Sequence, residues 1–263
     1  MSEVLISETE TRDAPARKTL GQRVIEELKF FAGLAVVMLT LLTLVFGHYK
    51  IPSESMQPTL EVGDHLFVSK WAYGYSRHSL PIGLHNLPLA DGQMFSRVPE
   101  RGDVVVFRNP RSGIVMIKRA IGLPGDVIET INGRLIINGT AVPRELRDEF
   151  RYRDVPAEGD PALVHSVREY VETLPGAEET HLIWERSDGL RLDNRGPFEV
   201  PKGTLFFMGD NRDNSTDSRA SDGPGFVPMT YLIGRAEVIM FSFSKCEDDP
   251  ELRCPGRRAF NGL

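Results

Sequence analysis

Apolar and polar positions divide this chain into two unequal patterns. Phe30 to Gly47 is a run of eighteen uncharged residues with no polar face. As a helix rising 1.5 Å per residue it would extend about 27 Å, close to the roughly 30 Å hydrocarbon thickness of a bilayer. From about residue 60 onward the apolar runs are short and broken by turns. The segments HLFVSK, DVVVFR, IVMIKRAIGL, DVIETI, RLIINGTAV, TLFFMG and AEVIMFSFS have strand length and are rich in β-branched or aromatic residues. Asn132-Gly133 and Asn138-Gly139 are hairpin turn signals, and no 15-residue amphipathic helix pattern competes with the strands. The pattern predicts one apolar helix followed by a mainly β chain.

The helix reads as an uncleaved anchor. A cleaved signal segment has an apolar stretch of about 7–15 residues ending in a small-x-small site. Here the run is longer, follows 29 residues, and continues into HYKIP. Arg12, Arg17, Lys18, Arg23 and Lys29 precede it, whereas only Lys50 and Lys70 follow within about twenty residues. Positive-inside logic keeps the N-terminus in the cytoplasm and sends the β part across the membrane. The boundaries expected are a cytoplasmic tail over 1–29, a transmembrane anchor over 30–49, and a core in two parts over 50–141 and 201–243. The acid-rich segment 142–200 reads as an inserted β subdomain, and 244–263 as a C-terminal tail.

Composition changes this picture little. The 263 residues carry a net charge of −6, with 41% hydrophobic and 26% charged residues, and hold no block of basic residues. That argues against wholesale disorder and against a nucleic-acid partner. The two cysteines, Cys246 and Cys254, would close a loop across Asp249-Pro250 only in an oxidising compartment. Their spacing indicates no metal, and no phosphate-binding glycine loop occurs.

Three segments are polar where core strands would be apolar. Ile51 to Leu60, IPSESMQPTL, has Pro52 and Pro58 stiffening the backbone around Ser53 and Ser55; it is either a linker or a support for one nucleophilic and one donor hydroxyl. Met116 to Asp126, MIKRAIGLPGD, embeds Lys118 among apolar neighbours. A lysine there either snorkels or is buried, and burial disfavours the ammonium and makes a base. Phe207 to Arg219, FMGDNRDNSTDSR, is a dense hydrogen-bonding loop. It fails as a calcium loop, because counting from Asp213 the sixth and twelfth positions are Ser218 and Pro224.

These segments, with VGD at 62–64, RGDVVVF at 101–107 and GFVP at 225–228, resemble in order and spacing the boxes of the bacterial type I signal peptidases. The resemblance implies a mainly β fold: a single N-terminal transmembrane helix followed by a two-part antiparallel β catalytic domain. It makes Ser55 the nucleophile and Lys118 the general base. Ser53 would contribute to the oxyanion hole with the Ser55 backbone N–H, and Ser215 would orient the Lys118 amine. Asp217 and Arg219 would form a supporting ion pair. Ile51, Pro52, Met56, Leu60, Val106 and Ile117 would line small-residue pockets. Partners would be pre-protein signal peptides and membrane lipids, with no metal or cofactor. Glu54 departs from the family by standing where many relatives have glycine.

Other functions fit less well. Ser242-Phe243-Ser244-Lys245 spells the S-x-x-K of penicillin-interactive enzymes, but it ends a strand-like run and no K-T-G accompanies it. A self-cleaving Ser–Lys repressor would have a DNA-binding module or lack the anchor. A tethered β-domain without activity would leave the polar boxes purely structural.

Overall fold

The computed structural model describes residues 19–79, 92–155, 161–177, 179–242, 251–254, 256 and 258–263. The helix as far as Thr40 and the chain from Leu41 onward form separate compact units.

Helix α1 (Leu20–Leu44) starts where Thr19 and Gln22 close a reciprocal capping box: the Gln22 N–H donates to Thr19 Oγ1 and the Thr19 N–H to Gln22 Oε1. Val36, Val37, Met38 and Leu39 are all exposed. Successive residues are about 100° apart around a helix, so this segment is apolar on every side. Among the described residues no helix is both long and apolar enough to cross a membrane. Glu26, Glu27 and Lys29 lie in the first half of α1. The apolar run is also not wholly helical. Its last residues, Phe46 and Gly47, belong to β1 (Phe46–Lys50), so the expected 30–49 helix ends early.

The strands that follow are β2 (Asp64–Ser69), β3 (Tyr75–Ser76), β4 (Gln93–Met94), β5 (Val104–Arg108) and β6 (Val115–Gly122). Then come β7 (Val127–Ile131), β8 (Arg134–Ile137), β9 (Thr140–Ala141), β10 (Arg144–Arg153), β11 (Val164–Glu172) and β12 (His181–Glu185). The last are β13 (Arg195–Glu199), β14 (Thr204–Met208), β15 (Val227–Pro228), β16 (Leu232–Ser242) and β17 (Ala259–Gly262). The main sheet has the order β1-β2-β16-β5-β6-β14-β15, with β17 also paired to β16. Smaller sheets are β13-β7-β8-β9, β10-β11-β12 and β3-β4. Every named strand pair is antiparallel. The C-terminal segment is thus more than a tail, since β17 extends the main sheet.

The all-apolar runs VVVF and LFFM follow from burial on both faces of this sheet. On β5, Val104 and Val106 join a cluster with Ile51, Met56, Leu60, Leu66 and Ile239, while Val105 and Phe107 join a second with Ala120 and Leu232. On β14, Leu205 and Phe207 enter that second cluster, and Phe206 and Met208 enter a third with Ile121, Ile128 and Leu135. Strand β10 reads RELRDEFRYR because much of it faces solvent, with Tyr152 turned inward against Trp184 of β12.

Candidate active site

Ser55 lies in a single 3₁₀ turn, Glu54–Met56, anchored at both ends. Before it, Ile51 donates its N–H to the Asp64 carbonyl and accepts one from Gly63. After it, Met56 and Leu60 are buried in the apolar cluster beneath the turn. Lys118 sits on β6, in register with Val105 of β5, and its side chain is 3% exposed. The Lys118 Nζ donates to Ser55 Oγ at 2.5 Å and to the Ile117 carbonyl at 3.0 Å. Burial depresses the Lys118 pKa to about 8, against the opposing pull of the Asp217 and Asp210 carboxylates. Desolvation wins here because neither carboxylate touches the amine.

Ser53, exposed to solvent, places its Oγ 3.2 Å from Ser55 Oγ. Asp217 and Arg219 form a buried two-point pair, Nε to Oδ1 at 3.0 Å and Nη2 to Oδ2 at 2.8 Å. Burial alone would raise the Asp217 pKa, but Arg219 and the Gly209 N–H outweigh it and hold the carboxyl below its usual range. The same Arg219 Nη2 also reaches the Arg212 carbonyl at 2.6 Å, so the pair closes the polar loop on itself. Removing one charge from such a buried pair leaves the other uncompensated. Asp217→Asn is therefore expected to cost about 3 kcal/mol in urea unfolding. It should also move the Lys118 pKa lower, because a carboxylate that favours the ammonium is gone.

One expectation needs correction. The Ser215 Oγ is buried but has no hydrogen-bond partner, so it does not orient the Lys118 amine; the Ile117 carbonyl does. Ser215 is instead a packing neighbour of Gly209. A Cβ on Gly209 would fall 2.3 Å from Ser215 Oγ and 2.4 Å from the Ser55 carbonyl oxygen. Only glycine permits that approach. Of the residues expected to line pockets, Ile51, Met56, Leu60 and Val106 are buried together, Ile117 packs against them half-buried, and Pro52 is exposed.

A second buried pair escaped the sequence reading. Arg119, next to Lys118, forks onto Asp210 at 2.8 and 2.6 Å, and Thr59 Oγ1 donates to the same carboxylate at 2.5 Å. Its only signal was opposite charge in two boxes, which does not specify pairing. Asn211 was also missed: its N–H and Nδ2 donate to the carbonyls of Ser55 and Glu54, each at 3.2 Å. Ser242 closes β16 and is not helical, while Lys245 of the S-x-x-K sequence lies outside the described residues. Cys254 is disulfide-bonded; Cys246, the partner expected, lies outside the described residues.

Residues 24–241 match the family described as signal peptidase, peptidase S26. The signal peptidase I of Rickettsia typhi is 37% identical over 229 residues, covering 84% of this chain and 82% of its own. That of Pseudomonas aeruginosa is 37% identical over 229 residues, covering 84% and 73%. A crystal structure of a signal peptidase I from Enterococcus faecalis is 25% identical and covers 53% of this chain and 97% of that one, at a TM-score of 0.29, too low to compare the folds. The mainly antiparallel β architecture and these relatives define a serine peptidase. The chain belongs to the signal peptidase family, peptidase S26.

Proposed function

We propose that this protein is a membrane-bound endopeptidase that removes N-terminal signal peptides from exported pre-proteins, cutting after small-x-small sequences such as Ala-x-Ala. The observation that carries the reading is the 2.5 Å hydrogen bond between Ser55 Oγ and the amine of a lysine buried among apolar residues.

The chemistry proceeds from that contact. With Lys118 neutral, the Ser55 hydroxyl turns to donate its proton to Nζ as Oγ attacks the carbonyl carbon of the scissile peptide bond. The carbonyl oxygen becomes an oxyanion, held by the Ser53 hydroxyl and the Ser55 backbone N–H. The C–N bond breaks as the Lys118 ammonium returns its proton to the leaving amine, leaving the signal peptide esterified to Ser55. A water then gives a proton to Nζ as it attacks the ester carbon; the C–Oγ bond breaks, the Lys118 ammonium returns that proton to Oγ, and the signal peptide leaves with a new carboxyl group. The Asp217–Arg219 pair supports the base from behind. Ile51, Pro52, Met56, Leu60, Val106 and Ile117 limit the side chains that fit beside the bond, since overpacking rejects bulk. No metal or cofactor enters any step. Ser53→Ala is expected to lower kcat about 10²–10³-fold, the usual loss for one oxyanion donor, read by steady-state kinetics on a peptide.

Anchoring falls to α1. Its second half exposes Val36, Val37, Met38 and Leu39 on successive sides, a surface that matches lipid better than water, and the basic residues before Phe30 favour a cytoplasmic N-terminus. Residues 1–29 are then a cytoplasmic tail, and the β part acts at the outer face of the inner membrane, with 142–200 inserted between the two core segments. The test is purified full-length protein in detergent with a pre-protein, followed by N-terminal sequencing of the product. The new N-terminus should lie one residue past the small-x-small site. Unchanged cleavage after the last small residue becomes leucine would refute the specificity.

A further inference from the structure

Glu54 immediately precedes the nucleophile, yet its side chain is almost fully buried. Its Oε1 accepts the Val155 N–H at 2.6 Å. Oε2 accepts Asn214 Nδ2 at 3.0 Å and the Tyr152 hydroxyl at 3.3 Å, with Arg186 Nη2 at 3.7 Å. The Tyr152 oxygen is itself held by Arg186 at 2.5 Å, and its ring packs on Trp184. On the main chain, the Glu54 carbonyl accepts from Gln57 N and Asn211 Nδ2, and the Ser55 carbonyl from Asn211 N. Residues 54 and 55 are thus gripped on one side by the polar loop and on the other by the β10-β11-β12 sheet. A buried carboxylate is costly, and its pKa is raised, chiefly by desolvation. Three hydrogen-bond donors and a nearby guanidinium at one such carboxylate are more than a surface turn needs.

We infer that Glu54 is a positioning residue, a clamp that ties the serine turn to the inserted sheet and so fixes where Ser55 Oγ meets Lys118. This rests on Ser55 being the nucleophile. Each donor restrains the turn from outside the chemistry, and the clamp gives the inserted sheet a direct bearing on turnover through one side chain. Displacements near 1 Å at a reacting atom cost on the order of 10²-fold in rate, so freeing the turn should slow catalysis without changing how substrate is held. The charge of Glu54 is not the point of contact with the base, whose carboxylate neighbours are Asp217 and Asp210.

The experiment compares full-length wild type, Glu54→Ala, Glu54→Gln, Asn214→Ala and Ser55→Ala in detergent, measuring kcat, KM, the pH–rate profile and thermal unfolding. Glu54→Ala should lose about 10–100-fold in kcat with KM within about threefold. Glu54→Gln should lose less, because its amide oxygen still accepts the Val155 N–H. Adding Asn214→Ala to Glu54→Ala should cost little more, since the partner is already gone. The ascending limb of the profile should stay in place while the plateau drops. Wild-type kcat in folded Glu54→Ala, or a loss that disappears once unfolded protein is accounted for, overturns the inference. A limb that moves overturns it in favour of electrostatic tuning. If Glu54→Ala does not fold, Glu54→Gln and Asn214→Ala decide by the same criteria. Activity surviving in Ser55→Ala would instead remove the catalytic reading on which the inference stands.

Discussion

Ser55→Ala is expected to reduce pre-protein cleavage by at least about 10⁴-fold, to the level that oxyanion stabilisation and binding alone sustain. The loss should come without unfolding. Only one oxygen is removed, and the Lys118 amine keeps its bond to the Ile117 carbonyl. The turn itself is fixed by contacts of its neighbours: Glu54 to Val155, Asn211 to the two carbonyls, and Met56 in the apolar cluster. Cleavage kinetics alongside thermal unfolding check this. Turnover within tenfold of wild type by a folded Ser55→Ala protein would exclude Ser55 as the nucleophile.

Lys118→Arg should be equally inactive, because a guanidinium cannot shed its proton at working pH. In the wild type, kcat/KM should climb about tenfold per pH unit below the Lys118 pKa of about 8 and level off above it. A limb near pH 6.5 would point to a histidine, and measurable activity in Lys118→Arg would exclude a lysine base. The same shift affects stability. Between the ordinary lysine value of 10.5 and about 8, the unfolded chain takes up a proton that the folded one refuses. Stability from this group is therefore fully present above pH 10.5 and falls by about 3 kcal/mol as pH drops to 8. Glu61 runs the other way. Burial raises its pKa to about 7 despite a hydrogen bond from Gln57, so its contribution is lost as pH rises from the ordinary 4.5 towards 7.

Much of the fold was legible because two-sided burial leaves a direct trace in sequence. VVVF and LFFM read as strands since each face of β5 and β14 meets an apolar cluster. The end of the first helix was not legible. Phe46 and Gly47 are as apolar as what precedes them, and only pairing with Ser69 and Val68 of β2 draws them into a strand. β17 is hidden for a similar reason: four exposed residues become a strand through Val238, Ile239 and Phe241 of β16. At the site, residue types and the order of boxes suggested Ser55 and Lys118, although 63 positions separate them. What spacing does not encode is the direction of a hydroxyl. Ser215 was assigned a partner that its Oγ does not meet, and the partners of Glu54 are Tyr152 and Val155, about a hundred residues downstream, and Asn214 of the polar loop.

Strand β16 pairs with β2, β5 and β17, and β5 in turn holds β6 with its lysine. Exposing the amides at the middle of β16 therefore requires several ladders to part at once. Those amides should be among the slowest in the chain to exchange with deuterated solvent, at a rate set by global opening. Heat should then extinguish activity and protect no residual core: inactivation and loss of the slow-exchanging set are expected to share one midpoint, with no warm, inactive and still-folded form between them.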